Sequence, residues 1–434
     1  MIYPVYHIKY VTVVTLIASV LFLASNKSTA QVSDPLRREE TKTKTVDLKE
    51  CIEIAFENNL QLAVARNRLG IADADRIKAS LLLPSNPEVK TEIGARESSS
   101  ERHTDYTIAL SQEIEVYGQR RKRINISNDK IEKVKFEIAD VERNVIANVK
   151  SSFYEVLTSL EIVKLQSYVE DIFKRLWNAT MERHKAGAIS ALELNSIKIR
   201  YGLAKQQLLA AKKNNQNSLL DLKLLLGKSK DEPLSLKGDL TYQALQVNLE
   251  DLLASAYETR PDLKAMELEK ERASQEISLR KAERIPNPEL SGFFTREEGG
   301  ADDIVGGEIS ISIPIWDRKQ SELKKARTAK DTADINIRNK YLGIQKEVEA
   351  AYRSFMAEKE GISIYTDEIM PQVDESLKLN EISYKEGKIN FIEFLTVQSD
   401  LIEIRTAYLN TLLDYNNAII NLETVSGMER ISLN

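Results

Sequence analysis

One cysteine in 434 residues leaves no partner for an internal disulfide and no thiol set for a metal. Cys51 lies in the apolar helical run Cys51-Ile52-Glu53-Ile54-Ala55, where a small buried side chain is expected. The three histidines, at positions 7, 103 and 184, have no ligand spacing. Neither a glycine-rich phosphate loop nor a nucleophile elbow occurs. An enzyme, a cofactor and a metal centre are therefore all without residues to carry them. Sixteen glycines and ten prolines punctuate the chain thinly, and aromatics at 6% against charged residues at 29% favour long solvated helices over thick cores. A net charge of −5 leaves no basic surplus for phosphates, which argues against a nucleic-acid partner.

What is present begins with an export signal. Lys9 precedes an apolar run from Tyr10 to Ala24, and Ser28-Thr29-Ala30 offers small residues for cleavage. The run falls short of the roughly 20 residues that a spanning helix needs, so residues 1–30 read as a removed signal rather than an anchor. They carry two lysines and no acid, and their loss moves the net charge from −5 to −7. After residue 30 no stretch of spanning length is free of charge. A chain exported in this way is either soluble or inserted as strands.

The remainder repeats itself once. Leu48 to Glu88 matches Leu249 to Glu289 without a gap at an offset of 201, with identities that include Ala55 and Ala256, Leu62 and Leu263, and the triplets Asn86-Pro87-Glu88 and Asn287-Pro288-Glu289. Gly187, Ile189 and Glu193 match Gly387, Ile389 and Glu393 at an offset of 200. One period of half a chain implies a duplicated domain. The expected division is a linker at 31–46, a first repeat at 47–228, a linker at 229–247, a second repeat at 248–427 and a tail at 428–434.

Each repeat reads as the same run of elements. Asp47 and Glu50 have capping-box spacing, a short helix follows to about Asn58, and a longer one runs from about Gln61 to Leu83 before Pro84 and Pro87. Two strands come next, at about 88–96 and 105–117, and in the second copy at about 289–297 and 304–316. Val89, Thr91, Ile93 and Ala95 alternate with Lys90, Glu92, Gly94 and Arg96, and Ile309, Ile311, Ile313 and Ile315 alternate with Ser310, Ser312 and Pro314. Two-faced segments of about ten residues are what a transmembrane barrel needs. An amphipathic hairpin on a soluble core would also alternate, but the flanking helices are too narrow-striped to supply that core.

Those helices are long. From Gln119 to about Ala186 there is no proline or glycine, and Ile131, Val134, Ile138, Val141 and Val145 step as a coiled-coil seam. The second copy runs from Arg318 to about Glu386 with Ala333, Ile337, Tyr341, Ile344, Val348, Ala351 and Phe355 on one stripe. Gly187 and Gly387 supply left-handed turns, and Ser190…Glu193 and Asn390…Glu393 restart the chain as capping boxes. The returning and upper helices together nearly equal the uninterrupted one in length, so stacked end to end they make a second pillar. Four strands cannot close a barrel, and open edges in lipid leave backbone groups unpaired at several kcal/mol each. The chain must therefore borrow strands from its own copies.

In order and twice over, the Asn-Pro-Glu helix ends, the junctions Val116-Tyr117-Gly118-Gln119-Arg120-Arg121 and Ile315-Trp316-Asp317-Arg318-Lys319, and the tips Lys185-Ala186-Gly187 and Tyr384-Lys385-Glu386-Gly387 resemble the TolC-like outer-membrane efflux factor family. The resemblance covers nearly all of the mature chain. It implies a mainly α protein with a membrane β-barrel portion: a homotrimer with four strands per protomer, one twelve-stranded barrel in outer-membrane lipid and a periplasmic tunnel of helical hairpins. Members are passive exit ducts that dock onto a periplasmic adaptor (membrane fusion) protein and an inner-membrane pump. The Pro286-Asn287-Pro288-Glu289 form and the Tyr117-Gly118-Gln119-Arg120-Arg121 junction are most similar to the branch serving RND pumps, including heavy-metal exporters.

The resemblance also places the site residues. Glu393 falls where the family puts a lumen-facing carboxylate, which three copies would make into a ring. It is equally the third helical residue of its capping box, as is Glu193. Thr396 stands at the family's second carboxylate position and Ile389 where some members carry a gating arginine, so the familiar lock is not expected. Tyr384 matches a tip tyrosine that hydrogen-bonds between helices, although an aromatic on the helical stripe reads the same way. The turns Gly187-Ala188-Ile189-Ser190 and Gly387-Lys388-Ile389-Asn390 are the candidate adaptor contacts. Pro371 has no counterpart at Asp171 and is expected to bend the second hairpin inward. A periplasmic coiled-coil scaffold or adhesin would account for the helices but not for two alternating hairpins.

Overall fold

After a two-residue strand, β1 (Thr45–Val46), local chemistry sets the element boundaries. The Asp47 side chain accepts from Glu50 N–H at 2.9 Å and Glu50 reaches back to Asp47 N–H at 3.1 Å, so α1 (Leu48–Asn58) starts in the expected capping box. Asn59 then caps α2 (Leu60–Ser80). The computed structural model describes residues 45–97, 102–297 and 302–428, all in one unit of the chain. The signal, residues 31–44 of the first linker, the hairpin tips 98–101 and 298–301, and tail residues 429–434 lie outside the described residues. Helix α2 stops three residues short of Leu83. The chain ahead of Pro84 is biased out of the helical region, and Arg120 takes the freed carbonyls of Ser80 and Leu81 at 2.9 and 3.1 Å.

Strands β2 (Glu88–Glu97) and β3 (Arg102–Glu113) form the first hairpin. Helix α3 (Gln119–Lys185) follows without a break for 67 residues, and α4 (Ala191–Leu225) returns along it. After β4 (Ser235–Leu236), the second repeat supplies α5 (Leu249–Thr259), α6 (Pro261–Ala282), β5 (Pro288–Glu297) and β6 (Asp302–Ile311). Helix α7 (Gln320–Ser363), a π-helical segment (Ile364–Ile369), α8 (Met370–Lys385) and α9 (Phe391–Ser426) complete it. The second long helix is thus interrupted, and the break begins before Pro371. Proline has no N–H to donate, and the wider π turn, with Met370 N–H bonded to Tyr365 O, takes up the misfit immediately ahead of it. Among the described residues no helix is long and apolar enough to cross a membrane.

The two repeats tie their pillars together at equivalent points. Asn59 Nδ2 donates to Leu225 O at 2.7 Å and Arg260 Nη1 donates to Val425 O at 3.1 Å, each joining the start of an upper helix to the end of a returning one. Gly227 and Gly427 adopt φ of +65° and +69° there, and an added Cβ would lie 2.2 Å from Asn58 O or 2.3 Å from Thr259 Oγ1. In the second repeat the tie is ionic. Arg260 is 97% buried and meets Asp262 at 2.7 Å and Glu347 at 2.6 Å, while Lys340 reaches Asp262 at 2.6 Å. Burial alone would raise the pKa of Asp262, but hydrogen bonds from Arg260 and Lys340 outweigh it and hold the carboxyl well below its usual range.

The repeats also hold each other. Arg143 of α3 donates to Thr424 O of α9, Lys150 pairs with Glu423 at 2.6 Å, and Ser151 bonds Asn417 at 2.6 Å. Residues 229–247, expected as a linker, form a strap. Ser235–Leu236 pairs in parallel with Thr45–Val46, so the first linker also ends in a strand. Leu240 packs against the apolar cores of both repeats, Tyr415 donates to Gln243 O at 2.6 Å, and Lys359 to Leu245 O at 2.6 Å. Two-residue strands leave too little pattern for sequence to show. Cys51 is fully buried, and burial, aided by Asp47 and Glu50, pushes its thiol up to about 11. The Arg260→Met substitution would leave Asp262 and Glu347 without their central cation, and the thermal midpoint in detergent should fall by the equivalent of about 3 kcal/mol.

Candidate functional site

The wall of the site is one antiparallel sheet of order β2-β3-β5-β6. Its central seam joins the repeats, with Tyr106 opposite Arg296, Ile108 opposite Phe294 and Glu113 opposite Glu289. One face carries Val89, Ile93, Tyr106, Ile108, Leu110, Leu290, Phe294, Val305, Ile309 and Ile311, all well exposed. The other carries Glu88, Glu92, Asp105, Glu113, Glu289, Glu297, Asp302 and Glu308 against only Lys90 and Arg96. Arg96 is shared between Asp105 at 3.4 Å and Glu297 at 3.3 Å.

Two details of this sheet were not legible in the alternation. Phe293 lies on the polar face, because Gly306 directly opposite has no side chain and the ring covers it; a Cβ on Gly306 would sit 2.4 Å from the ring. Strands β3 and β6 end at Glu113 and Ile311, earlier than residues 117 and 316. Pro314 cannot donate to a ladder, and Ile315 N–H turns back to Ile313 O at 3.0 Å. At the β3 exit, Asn287 of the Asn-Pro-Glu motif donates to Glu113 at 2.8 Å and accepts from Gln119 at 2.8 Å.

At the opposite end of the helices the two tips have the same geometry. Gly187 and Gly387 have φ of +76° and +73°, and the N–H groups of Ala188 and Lys388 close onto Arg183 O and Ser383 O at 2.9 and 2.8 Å. Each turn thereby satisfies the last carbonyls of its long helix. Ala188, Ser190, Lys388 and Asn390 are exposed, and Ile189 and Ile389 are half-buried. Asn390 and Glu393 form the complete capping box, at 2.9 and 3.1 Å, with Glu393 exposed. Ser190 accepts from Glu193 N–H at 3.2 Å, but the reciprocal bond is absent from that cap. The half-buried carboxylate of Glu193 instead lies near Tyr384.

Tyr384 stacks on Phe394 with ring centroids 4.8 Å apart and meets Phe391 at 6.0 Å. Burial raises its hydroxyl pKa, the charge of Glu193 adds to that and Arg183 opposes it. The contact between the two hairpins is apolar: Leu395 and Ile402 of α9 pack against Val169, Phe173 and Ala204 of the first hairpin. Glu393 stands apart from this group. Sequence reasoning missed Asn380, buried between α8 and α9, whose amide donates to Phe394 O at 3.1 Å and to Gln398 at 3.4 Å. A polar residue on an otherwise apolar stripe was the signal. Pro371 is exposed, and cross-hairpin contact beside it comes from Arg405 and Asp374 at 2.8 Å. No group of acids, histidines and cysteine among the described residues could hold a metal ion.

A two-faced sheet set on paired helical pillars of this length defines an outer-membrane channel protein. The chain belongs to the outer membrane efflux protein family, which matches residues 51–228 and 252–428. It is 23% identical over 381 residues to the cobalt-zinc-cadmium resistance protein CzcC of Cupriavidus metallidurans, covering 88% of this chain and 90% of that protein. The crystal structure of a membrane protein from Pseudomonas aeruginosa superposes with a TM-score of 0.73 at 17% identity, covering 92% of this chain and 99% of the other. The open state of the Neisseria gonorrhoeae MtrE outer membrane channel gives 0.71 at 16%, covering 88% of each chain. At such identities the structural likeness establishes the fold. For the tip, Asn390→Ala should lower stability by about 1 kcal/mol through loss of the cap, whereas Glu393→Gln, which keeps an acceptor, should stay within about 0.5 kcal/mol in thermal melts in detergent.

Proposed function

We propose that three copies of this chain assemble into an outer-membrane exit duct of a tripartite efflux system, with repeats 47–228 and 248–427 as its two structural halves. The observation that carries this reading is the sheet: one face apolar, the other polar, and both outer strands, β2 and β6, without a further strand partner among the described residues. In hydrocarbon those edges must pair. The chain already holds the template, since β3 of the first repeat meets β5 of the second. By the same logic β6 meets β2 of the next copy, and three sheets of four strands close as twelve. Asn287 is bonded at the internal seam, while its counterpart Asn86 stands exposed at the β2 edge, in position to do the same for a neighbour.

The polar face then lines the lumen, and its acid excess favours cations. Together with the likeness to a cobalt-zinc-cadmium resistance protein, this points to metal cations as cargo, passed on by a periplasmic adaptor and an RND-type inner-membrane pump. The tips Gly187–Ser190 and Gly387–Asn390 are the docking turns for the adaptor. Tyr384 and Glu193 lie at the entrance beside the apolar contact between the hairpins, and Glu393 contributes a carboxylate ring as well as its cap. The π-helical segment and Pro371 form the bend that narrows the second hairpin. A scaffold without a pore has no use for a sheet whose apolar face and edges are both bare.

Light scattering of the detergent-purified mature protein should return the mass of three chains; a single soluble chain in detergent-free buffer would overturn the assembly. Pro371→Ala should raise single-channel conductance in planar bilayers by relaxing the bend. An unchanged conductance would remove Pro371 from the gating account.

A further inference from the structure

We infer that the strand-to-helix junctions form a cationic, aromatic collar that docks the anionic phospholipid headgroups of the periplasmic leaflet. The inference rests on the channel reading above and adds a partner chemistry to it. In the first repeat, Val116 and Tyr117, just beyond the end of β3, are 53% and 47% exposed. Residues 117–128 then hold four cations, Arg120, Arg121, Lys122 and Arg123, and no acid. In the second repeat Ile313 and Trp316 are 80% and 85% exposed, and Arg318, Lys319, Lys324 and Lys325 follow within ten residues, outnumbering the two acids there, Asp317 and Glu322. Strands of ten to twelve residues match the hydrocarbon thickness, so both junctions fall at the level of the headgroups. Interfacial aromatics with cations on their watery side are the composition that level selects.

The cations are not used up inside the protein. Arg120 holds the end of α2 and Arg123 pairs with Glu115, which are structural tasks. Among the described residues, Arg121, Lys122, Arg318, Lys319, Lys324 and Lys325 have no carboxylate partner. Their placement is also locally unfavourable. Four consecutive cations occupy the opening of α3, where the helix dipole disfavours positive charge; the first turn holds no acid, and Glu115 offsets Arg123 alone. Lys319 has φ of +55° and is the only described non-glycine residue with positive φ; the equivalent N-cap of α3 is Gly118, at +70°. A lysine held where the backbone favours glycine, beside an exposed tryptophan, is explained by an anionic surface that both residues meet. A purely water-lined rim would account for the charges but not for Ile313 and Trp316.

The test uses the full mature protein and a variant combining Arg121→Gln, Lys122→Gln, Arg318→Gln and Lys319→Gly, delivered from detergent to phosphatidylethanolamine vesicles with increasing phosphatidylglycerol. Insertion is read by co-flotation. Wild type should gain about tenfold from phosphatidylglycerol at low salt, and most of that gain should vanish at high salt. The variant should insert into phosphatidylethanolamine alone as well as wild type does and show little gain. Lys319→Gly alone should raise the thermal midpoint in detergent while reducing the gain, a pair of opposite effects that a merely structural lysine would not give. A variant that keeps the full gain overturns the collar and leaves the channel intact. Failure of both proteins to enter any vesicle overturns the collar together with the channel reading.

Discussion

Unpaired backbone groups cost several kcal/mol each in hydrocarbon, and the rest of this structure follows from that constraint. A four-stranded sheet with two bare edges has no stable place in a membrane by itself. Its apolar face demands lipid and its edges demand partners, so the protomer is committed to assembly before any question of transport arises. The helices do not share the problem, because each satisfies its own backbone internally. They need only a seam on one side, which is why a chain with few aromatics and many charges suffices for them.

Duplication resolves the geometry economically. The bond from Asn59 to Leu225 O and the bond from Arg260 to Val425 O do the same work at the same place, although one is neutral and the other belongs to a buried ion network. The first tie needs only an amide. The second brings a guanidinium into a site that must then supply Asp262 and Glu347. Equivalent positions in a repeat conserve the connection, while the chemistry that makes it is free to differ.

Long-period features were readable from sequence because they depend on residue type at regular spacing. The coiled-coil stripe through Ile131 and Val134, the caps at Asp47 and Asn390, and the left-handed turns at Gly187 and Gly387 all rest on local rules. What escaped was tertiary. The strap through Leu240 has no period, the pairing of Thr45–Val46 with Ser235–Leu236 spans two residues, and Asn380 is buried only because α8 and α9 meet around it. The π segment Ile364–Ile369 precedes Pro371 and follows from how that turn absorbs a missing donor, which residue spacing does not reveal. At the tip, spacing gives Glu193 and Glu393 the same role, and the structure separates them by completing the capping box only at Glu393.

The strap has a consequence for how such a chain could have arisen and how it could be taken apart. Because Leu240 is wedged into both cores, and because Arg143 and Lys150 reach from the first half to carbonyl and carboxylate on the last helix, neither half is a self-sufficient cassette. Six identical half-length chains would lack these asymmetric attachments, so the two halves are no longer interchangeable.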